Sequence, residues 1–368
     1  MKMLYIANVR LSTEKAHGAQ IMKMCEAFAT GGAEVNLVIP GRRTPINEDP
    51  FLYYSTKKNF KITTVFAPDL IYFGRLGFGL MALIFSERVR WTGNFRRADI
   101  IYSRDALVLL HYVLLGRTLV YEMHNKPTMI STFVARHAHR LVVISEGLRD
   151  AYVARGVRRE KMLVAHDAVD LAAFEEQYDH NESRAWLNIP QNKKIVMYVG
   201  RIDSAKGVDT FAQAGNRAPA DVKFVAVGSG PHRDILSGKY PDTLFLPETK
   251  YRDLPHVLAA ADVLVIPNSA KDVDASIYTS PLKAFAYLAA GKPVLASAVP
   301  SLRHIFQTGS AHFFEPDNPQ DLLATLKRLL DGPQREVERR IHDVSDYIHE
   351  HTWNKRAQAI TEFITAHV

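Results

Sequence analysis

The stretch from Tyr278 to Ser297 limits the architecture more than any other part of the chain. It reads as loop, helix, abrupt stop and short strand. Ser280 is a good N-cap residue, because its hydroxyl can accept from an orphan amide of a first helical turn. Pro281 suits the first helical position, where its missing N–H costs nothing. Gly291 can take the left-handed conformation that closes a helix, and Pro293 forbids the helix from resuming. Val294 to Ser297 then reads as a short buried strand. A helix entered this way offers free amides from Thr279 to Lys283 and the positive end of its dipole. That is a seat for phosphate, to which Lys283 adds a full charge. An ordinary capped helix of a Rossmann-like domain accounts for the same residues.

The rest of the chain supplies the partners of such a unit. Strands are expected at Met3–Val9, Glu34–Pro40, Ile62–Phe66, Asp99–Ser103, Thr118–Glu122, Arg140–Ile144 and Lys161–Ala165, with helices between them. Ala19 to Thr30 is amphipathic, and Leu11 to Gly18 before it reads as a polar loop. Ser145 caps a further helix, which Gly156 closes. From His166 to about Asn192 the pattern breaks, and an interdomain linker is expected there. The alternation restarts with strands at Lys194–Val199, Val222–Val227, Thr243–Leu246, Asp262–Pro267 and Val294–Ser297. Helices at about Gln320–Leu330, Val337–Glu350 and Asn354–Ala366 end the chain. Strands spaced by helical crossovers indicate α/β architecture: two consecutive doubly wound Rossmann-like halves, whose strand C-edges face a central cleft.

With 368 residues there is material for two cores. Cys25 is the single cysteine, which excludes an intramolecular disulfide and a thiolate zinc site. The first residues start a strand without a signal-peptide layout, so a cytoplasmic protein is expected. A net charge of +7 implies an anionic partner. No RRM, KH, zinc-finger or helix-turn-helix pattern occurs, so nucleic acid is not the expected one. The apolar run Leu76–Phe85 is too short to span a bilayer. It reads as a buried helix, or as a surface helix whose flanking arginines, from Arg75 to Arg97, meet anionic headgroups.

Four clusters could carry chemistry. Gly200-Arg201 and Lys206-Gly207 follow a strand, and two cations five apart can hold the oxygens of a diphosphate. Gly228-Ser229-Gly230-Pro231 opens a helix after another strand, where glycine lets backbone approach a ligand. His124 stands at a strand end beside Glu122, which reads equally as a structural carboxylate. In and after the first loop, Arg10, His17 and Gly18 are candidates for the acceptor side, as is Arg104 further on. Asp272-Val273-Asp274 spells a D-x-D, but two carboxylates in a polar loop are too few oxygens for a metal. The fifteen histidines are scattered without metal spacing.

These motifs, in this order, resemble those of the retaining, glycogen-synthase-like nucleotide-sugar glycosyltransferases (GT-B fold, glycosyltransferase family 4 type). The likeness is closest from Tyr278 to Ser297. It implies a first domain over 1–170, a donor domain over 171–352, and a final helix, 353–368, packing back on the first. It implies donor binding by Gly200, Gly228, Gly230, Tyr278, Thr279, Ser280, Pro281, Leu282, Lys283 and the position of Ala286. Arg201 and Lys206 would hold the pyrophosphate, and His124 would contact the sugar. No metal or other cofactor is implied, the leaving diphosphate itself helping to deprotonate the acceptor. One departure stands out: Ala286 occupies the place of the family's ribose-binding glutamate, and Tyr278 that of its partner glutamate.

The reading is therefore a sugar transferase whose partners are a nucleotide-sugar donor and a glycan or lipid-linked acceptor, with residues 75–97 offered to an anionic membrane surface. Cell-envelope or exopolysaccharide biosynthesis at the inner membrane face is the expected setting. Two alternatives stay open: a GT-B scaffold weakened by Ala286, and a nucleotide-sugar epimerase.

Overall fold

The computed structural model describes residues 1–176, 178–306 and 309–366, and the statements that follow concern these. The chain divides into two compact units, Met1–His166 with Trp353–Val368, and Asp167–Thr352.

The first unit is a parallel sheet of order β3-β2-β1-β4-β5-β6-β7. Its strands are β1 Lys2–Ile6, β2 Glu34–Pro40, β3 Lys61–Val65, β4 Ile100–Ser103, β5 Leu119–Met123, β6 Arg140–Val143 and β7 Met162–Val164. β1, β4, β5 and β6 are mostly apolar and buried, as expected of strands covered on both faces. β1 is shorter than the sequence pattern suggests, ending at Ile6, although Ala7 N still donates to Val38 O. The following helix, Ala16–Thr30, begins three residues earlier than expected, so His17 and Gly18 belong to its first turn. The returning helix Trp353–Thr365 packs against it. Residues 367 and 368 of the expected return lie outside the described residues.

The apolar run is part of a longer helix, Gly74–Arg90. Gly77, Met81, Phe85 and Val89, spaced by four, form a buried face. The opposite face is apolar too: Leu76 is 88% exposed, and Leu80 and Leu83 are about half exposed.

The second unit has sheet order β10-β9-β8-β11-β12-β13, also parallel. Its strands are β8 Lys194–Val199, β9 Val222–Val227, β10 Leu244–Leu246, β11 Val263–Ile266, β12 Val294–Ser297 and β13 His312–Phe314. Side chains alternate between two cores. Ile195, Met197, Val225 and Leu264 enter one. Val196, Tyr198, Phe224 and Val265 enter the other. β13, three residues long, went unread in the sequence.

The expected linker needs correction. Residues 167–192 belong to the second unit, and His180–Trp186 is a helix capped by the Asp179 carboxylate. It lacks an apolar stripe because its inward residue is Arg184, bonded to Ala260 O at 3.1 Å and to Asp262 Oδ2 at 2.5 Å. In both sheets the first strand lies between the second and the fourth, so strand order reverses there. The C-terminal edge at that reversal is where ligands of such folds bind.

Candidate active site

In the second unit the loops after β8, β9 and β11 are locked together by backbone. Gly200 N donates to Val227 O (2.9 Å), Ile202 N to Ser229 O (2.8 Å) and Gly228 N to Leu246 O (3.1 Å). A Cβ on Gly228 would lie 2.0 Å from Gly200 O, one on Gly230 2.2 Å from Ile202 O, and one on Gly207 1.7 Å from Pro267 O. All three have positive φ, so glycine is required by both space and backbone.

Asp203 shapes the cationic loop. Its Oδ2 accepts from Arg201 Nε at 2.8 Å and its Oδ1 from Lys206 N at 3.0 Å. Tyr198 OH donates to Arg201 O at 2.6 Å. Lys283 reaches the same place from the Leu282–Ala289 helix. Its Nζ lies 3.8 Å from the Tyr198 ring centroid. It would be 2.6 Å from a Cβ on Gly200, so glycine makes room for it. That ammonium is shielded from solvent and has no hydrogen-bond partner among the described residues. Burial, and then the charge of Lys206, push the Lys283 pKa well below the ordinary lysine value. Burial also lowers that of Lys206, against the raising effect of Asp203 and Asp272.

The donor-like stretch enters this site differently from the sequence expectation. The helix starts at Leu282 with Pro281 as its N-cap, and no side chain caps it. Ser280 does not cap: its buried hydroxyl accepts from Asp167 N at 2.9 Å. Thr279 is extended, and Tyr278 ends a π-helical turn over Asp274–Tyr278. Ala284 N already bonds Pro281 O, so the helix start offers the amides of Leu282 and Lys283 in place of a longer row. Gly291 is left-handed, with φ of 63°, as the stop requires. Tyr287, to which sequence reading gave no task, accepts from Val199 N at 2.8 Å and fastens the helix to β8. Ala286 is buried in the apolar core beside Phe285 and Tyr287. Asp272 of the D-x-D accepts from Ala275 N at 2.7 Å, where the π-helical turn begins. No group of three or more metal-ligating side chains occurs among the described residues.

The first unit gathers a second constellation at the ends of β4 and β5. Glu122 is fully buried. It accepts from Gln20 Nε2 (2.8 Å), Tyr102 OH (2.6 Å), His124 Nε2 (2.9 Å) and Arg356 (2.7 Å). Burial alone would raise its pKa, but Arg356 and the His124 hydrogen bond hold it well below the carboxylate range. His124 is pushed down to about 4 by burial and by Arg104, against the opposing Glu122. With Glu122 ionised, Nε2 carries the proton and Nδ1 is left as an acceptor. Arg104 donates to Gln20 Oε1, and its charge, after burial, helps to lower His17 to about 4. Gly18 is pressed by the Tyr54 hydroxyl, 2.2 Å from where its Cβ would be. Arg10 stands apart from this group, ion-paired with Asp69 at 2.7 Å. Gln20, Tyr102 and Arg356 were missed by sequence reasoning, since they meet Glu122 from 102, 20 and 234 residues away.

Two Rossmann-like sheets, with a glycine-lined cationic edge on the second, define a class: the chain has the fold of the GT-B glycosyltransferases. Residues 193–332 match the family model described as "Glycosyl transferases group 1". Curated relatives include the D-inositol 3-phosphate glycosyltransferases of Mycobacterium bovis and Mycobacterium tuberculosis strains. These are 29% identical over 225 residues, covering 55% of this chain and 44% of theirs, so the match spans less than half of those proteins. Among solved structures, Anabaena HepE in complex with UDP and glucose aligns over all of both chains, with a TM-score of 0.78 and 16% identity. Sucrose-phosphate synthase from Thermosynechococcus elongatus aligns over 98% of both, with 0.79 and 19%. WaaG, a glycosyltransferase involved in lipopolysaccharide biosynthesis, gives 0.69 and 15% over 99% of this chain and 100% of its own. At these identities the structural likeness is one of fold. No helix among the described residues is long and apolar enough to cross a membrane.

Proposed function

We propose that the chain is a retaining glycosyltransferase that moves a sugar from a nucleotide-sugar donor to an acceptor hydroxyl. The observation that carries this reading is the Lys283 ammonium, buried beside Lys206 without a hydrogen-bond partner among the described residues, at the glycine-lined end of β8. A buried cation in that state costs stability unless an anion meets it. A diphosphate would meet it and would also take Arg201 and Lys206. As the sugar bond breaks, negative charge builds on that diphosphate, and cations in a site of low polarity stabilise it. Such a site has no need of a metal. His124 would accept through Nδ1 from a hydroxyl of the transferred sugar. The retained configuration, and deprotonation of the acceptor by the leaving diphosphate, rest on the family resemblance.

UDP-sugars are the first donors to try, since HepE was solved with UDP-glucose. For the acceptor we favour a glycan or lipid-linked substrate of envelope or exopolysaccharide assembly, made at the inner membrane face. The support is the Gly74–Arg90 helix with Tyr72 before it. Exposed Tyr72, Leu76, Leu80 and Leu83 accompany arginines at 75, 88 and 90, a composition suited to anionic lipid. The scaffold and epimerase readings gain nothing from these observations. The test is release of free nucleotide from a panel of UDP-, GDP- and ADP-sugars. Release from one donor is expected from the unaltered chain. Silence with every donor would contradict the reading.

A further inference from the structure

Arg356 sits on the returning helix, 5% exposed, with its guanidinium spread over several acceptors. It donates to Glu122 Oε1 (2.7 Å), His166 O (2.7 Å) and Ala165 O (3.2 Å). The last two carbonyls belong to the segment by which the chain leaves the first unit. One residue therefore ties the outgoing chain, the returning helix and the end of β5 together.

Its chemical effect passes through Glu122. The groups facing that carboxyl are Tyr5 of β1, Gln20 and Cys25 of the Ala16–Thr30 helix, Tyr102 of β4, Arg104, His124 and Arg356. Of these, Arg356 makes the direct ion pair with it that is almost wholly out of solvent. A carboxyl buried without its counter-charge takes a proton instead. Protonated Glu122 would donate where it now accepts. His124 Nε2 would become the acceptor, and Nδ1 would carry the hydrogen.

We propose that Arg356 is a positioning residue: by keeping Glu122 ionised, it makes His124 present Nδ1 as a hydrogen-bond acceptor. The consequence for catalysis rests on the role of His124 proposed above; the consequence for the histidine tautomer does not.

The experiment is 15N NMR of the full chain labelled in histidine, with the His124 signals assigned by loss in His124→Gln. Ring nitrogens with and without hydrogen differ widely in shift. The unaltered chain is expected to show Nε2–H at neutral pH. Arg356→Met is expected to move the hydrogen to Nδ1, and Arg356→Lys, which keeps the charge, to hold it on Nε2. Should Arg356→Met fail to fold, Arg356→Gln keeps donors for the backbone carbonyls without the charge and is read in the same way. In turnover, kcat should fall about tenfold in the neutral variant while the donor KM stays. A folded neutral variant retaining Nε2–H overturns the proposal, whatever its turnover. A tautomer swap without turnover from any donor upholds it and counts against the transferase reading alone.

Discussion

Lys283 Nζ lies 3.8 Å from the centre of the Tyr198 ring, whose own hydroxyl donates to Arg201 O at 2.6 Å. One tyrosine thus carries one cation on its face and holds the backbone of another at its edge. The ring replaces only part of the hydration that a buried ammonium loses.

Removing that ammonium should therefore stabilise the ligand-free protein. Lys283→Met is expected to gain about 1–2 kcal/mol at neutral pH, read as a higher Tm by calorimetry. The sign with pH follows from the depressed lysine pKa. Between that value and 10.5 the unfolded chain binds a proton that the folded chain does not. This contribution to stability therefore rises with pH across that window, and the variant should lack the slope. A lower Tm for the variant would count against the cluster's being a site kept for an anion.

The glycines at the ends of β8 and β9 make a separate prediction. Gly207→Ala would place a methyl 1.7 Å from Pro267 O at a backbone φ of 64°. It should cost more than about 2 kcal/mol, seen as a reduced denaturation midpoint. Gly238→Ala, with open space around it in the Arg233–Lys239 helix, serves as the control and should stabilise slightly.

Much of this edge was legible because glycine and proline act locally. Gly291 with Pro293 announced the helix stop, and the glycines after β8 and β9 announced close backbone approach. What was not legible depends on partners distant in sequence. Ser280 looks like an N-cap from its neighbours alone. Its hydroxyl is taken by Asp167 N, 113 residues away, and the helix begins one residue later. Arg356 lies in the final helix, where sequence reading singled out no site residue, and only the fold brings it to Glu122. The helix His180–Trp186 was hidden because an arginine, paired with Asp262, fills the place of an apolar residue.

Acid should weaken the first unit through its two depressed histidines. His17 and His124 titrate at about 4 in the fold against 6.5 in the free side chain. As pH falls from about 6.5 to 4 the unfolded chain takes up protons that the folded chain refuses, so stability is lost across that window. Urea midpoints between pH 7 and pH 4.5 should drop less steeply in His17→Gln. An unchanged slope would contradict the assignment.

The exposed face of the Gly74–Arg90 helix should bind anionic vesicles. Flotation with phosphatidylglycerol liposomes at low salt should carry the chain upward. Leu76→Gln, Leu80→Gln and Leu83→Gln together should weaken binding at least about tenfold, since each leucine contributes on the order of 1 kcal/mol even when partly inserted. Raising the salt should weaken it further by screening the arginines. Retention of the unaltered chain in the soluble fraction at low salt would sink the idea.

The central claim is that Arg201, Lys206 and Lys283 hold the diphosphate of a nucleotide. Calorimetric titration of UDP, GDP and ADP into the chain and into Lys283→Met tests it most directly. Saturable binding of one nucleotide is expected, weakened roughly ten- to hundredfold by the substitution, as the loss of one charged hydrogen bond requires. Binding of none of the three, or equal affinity in the two proteins, would contradict it.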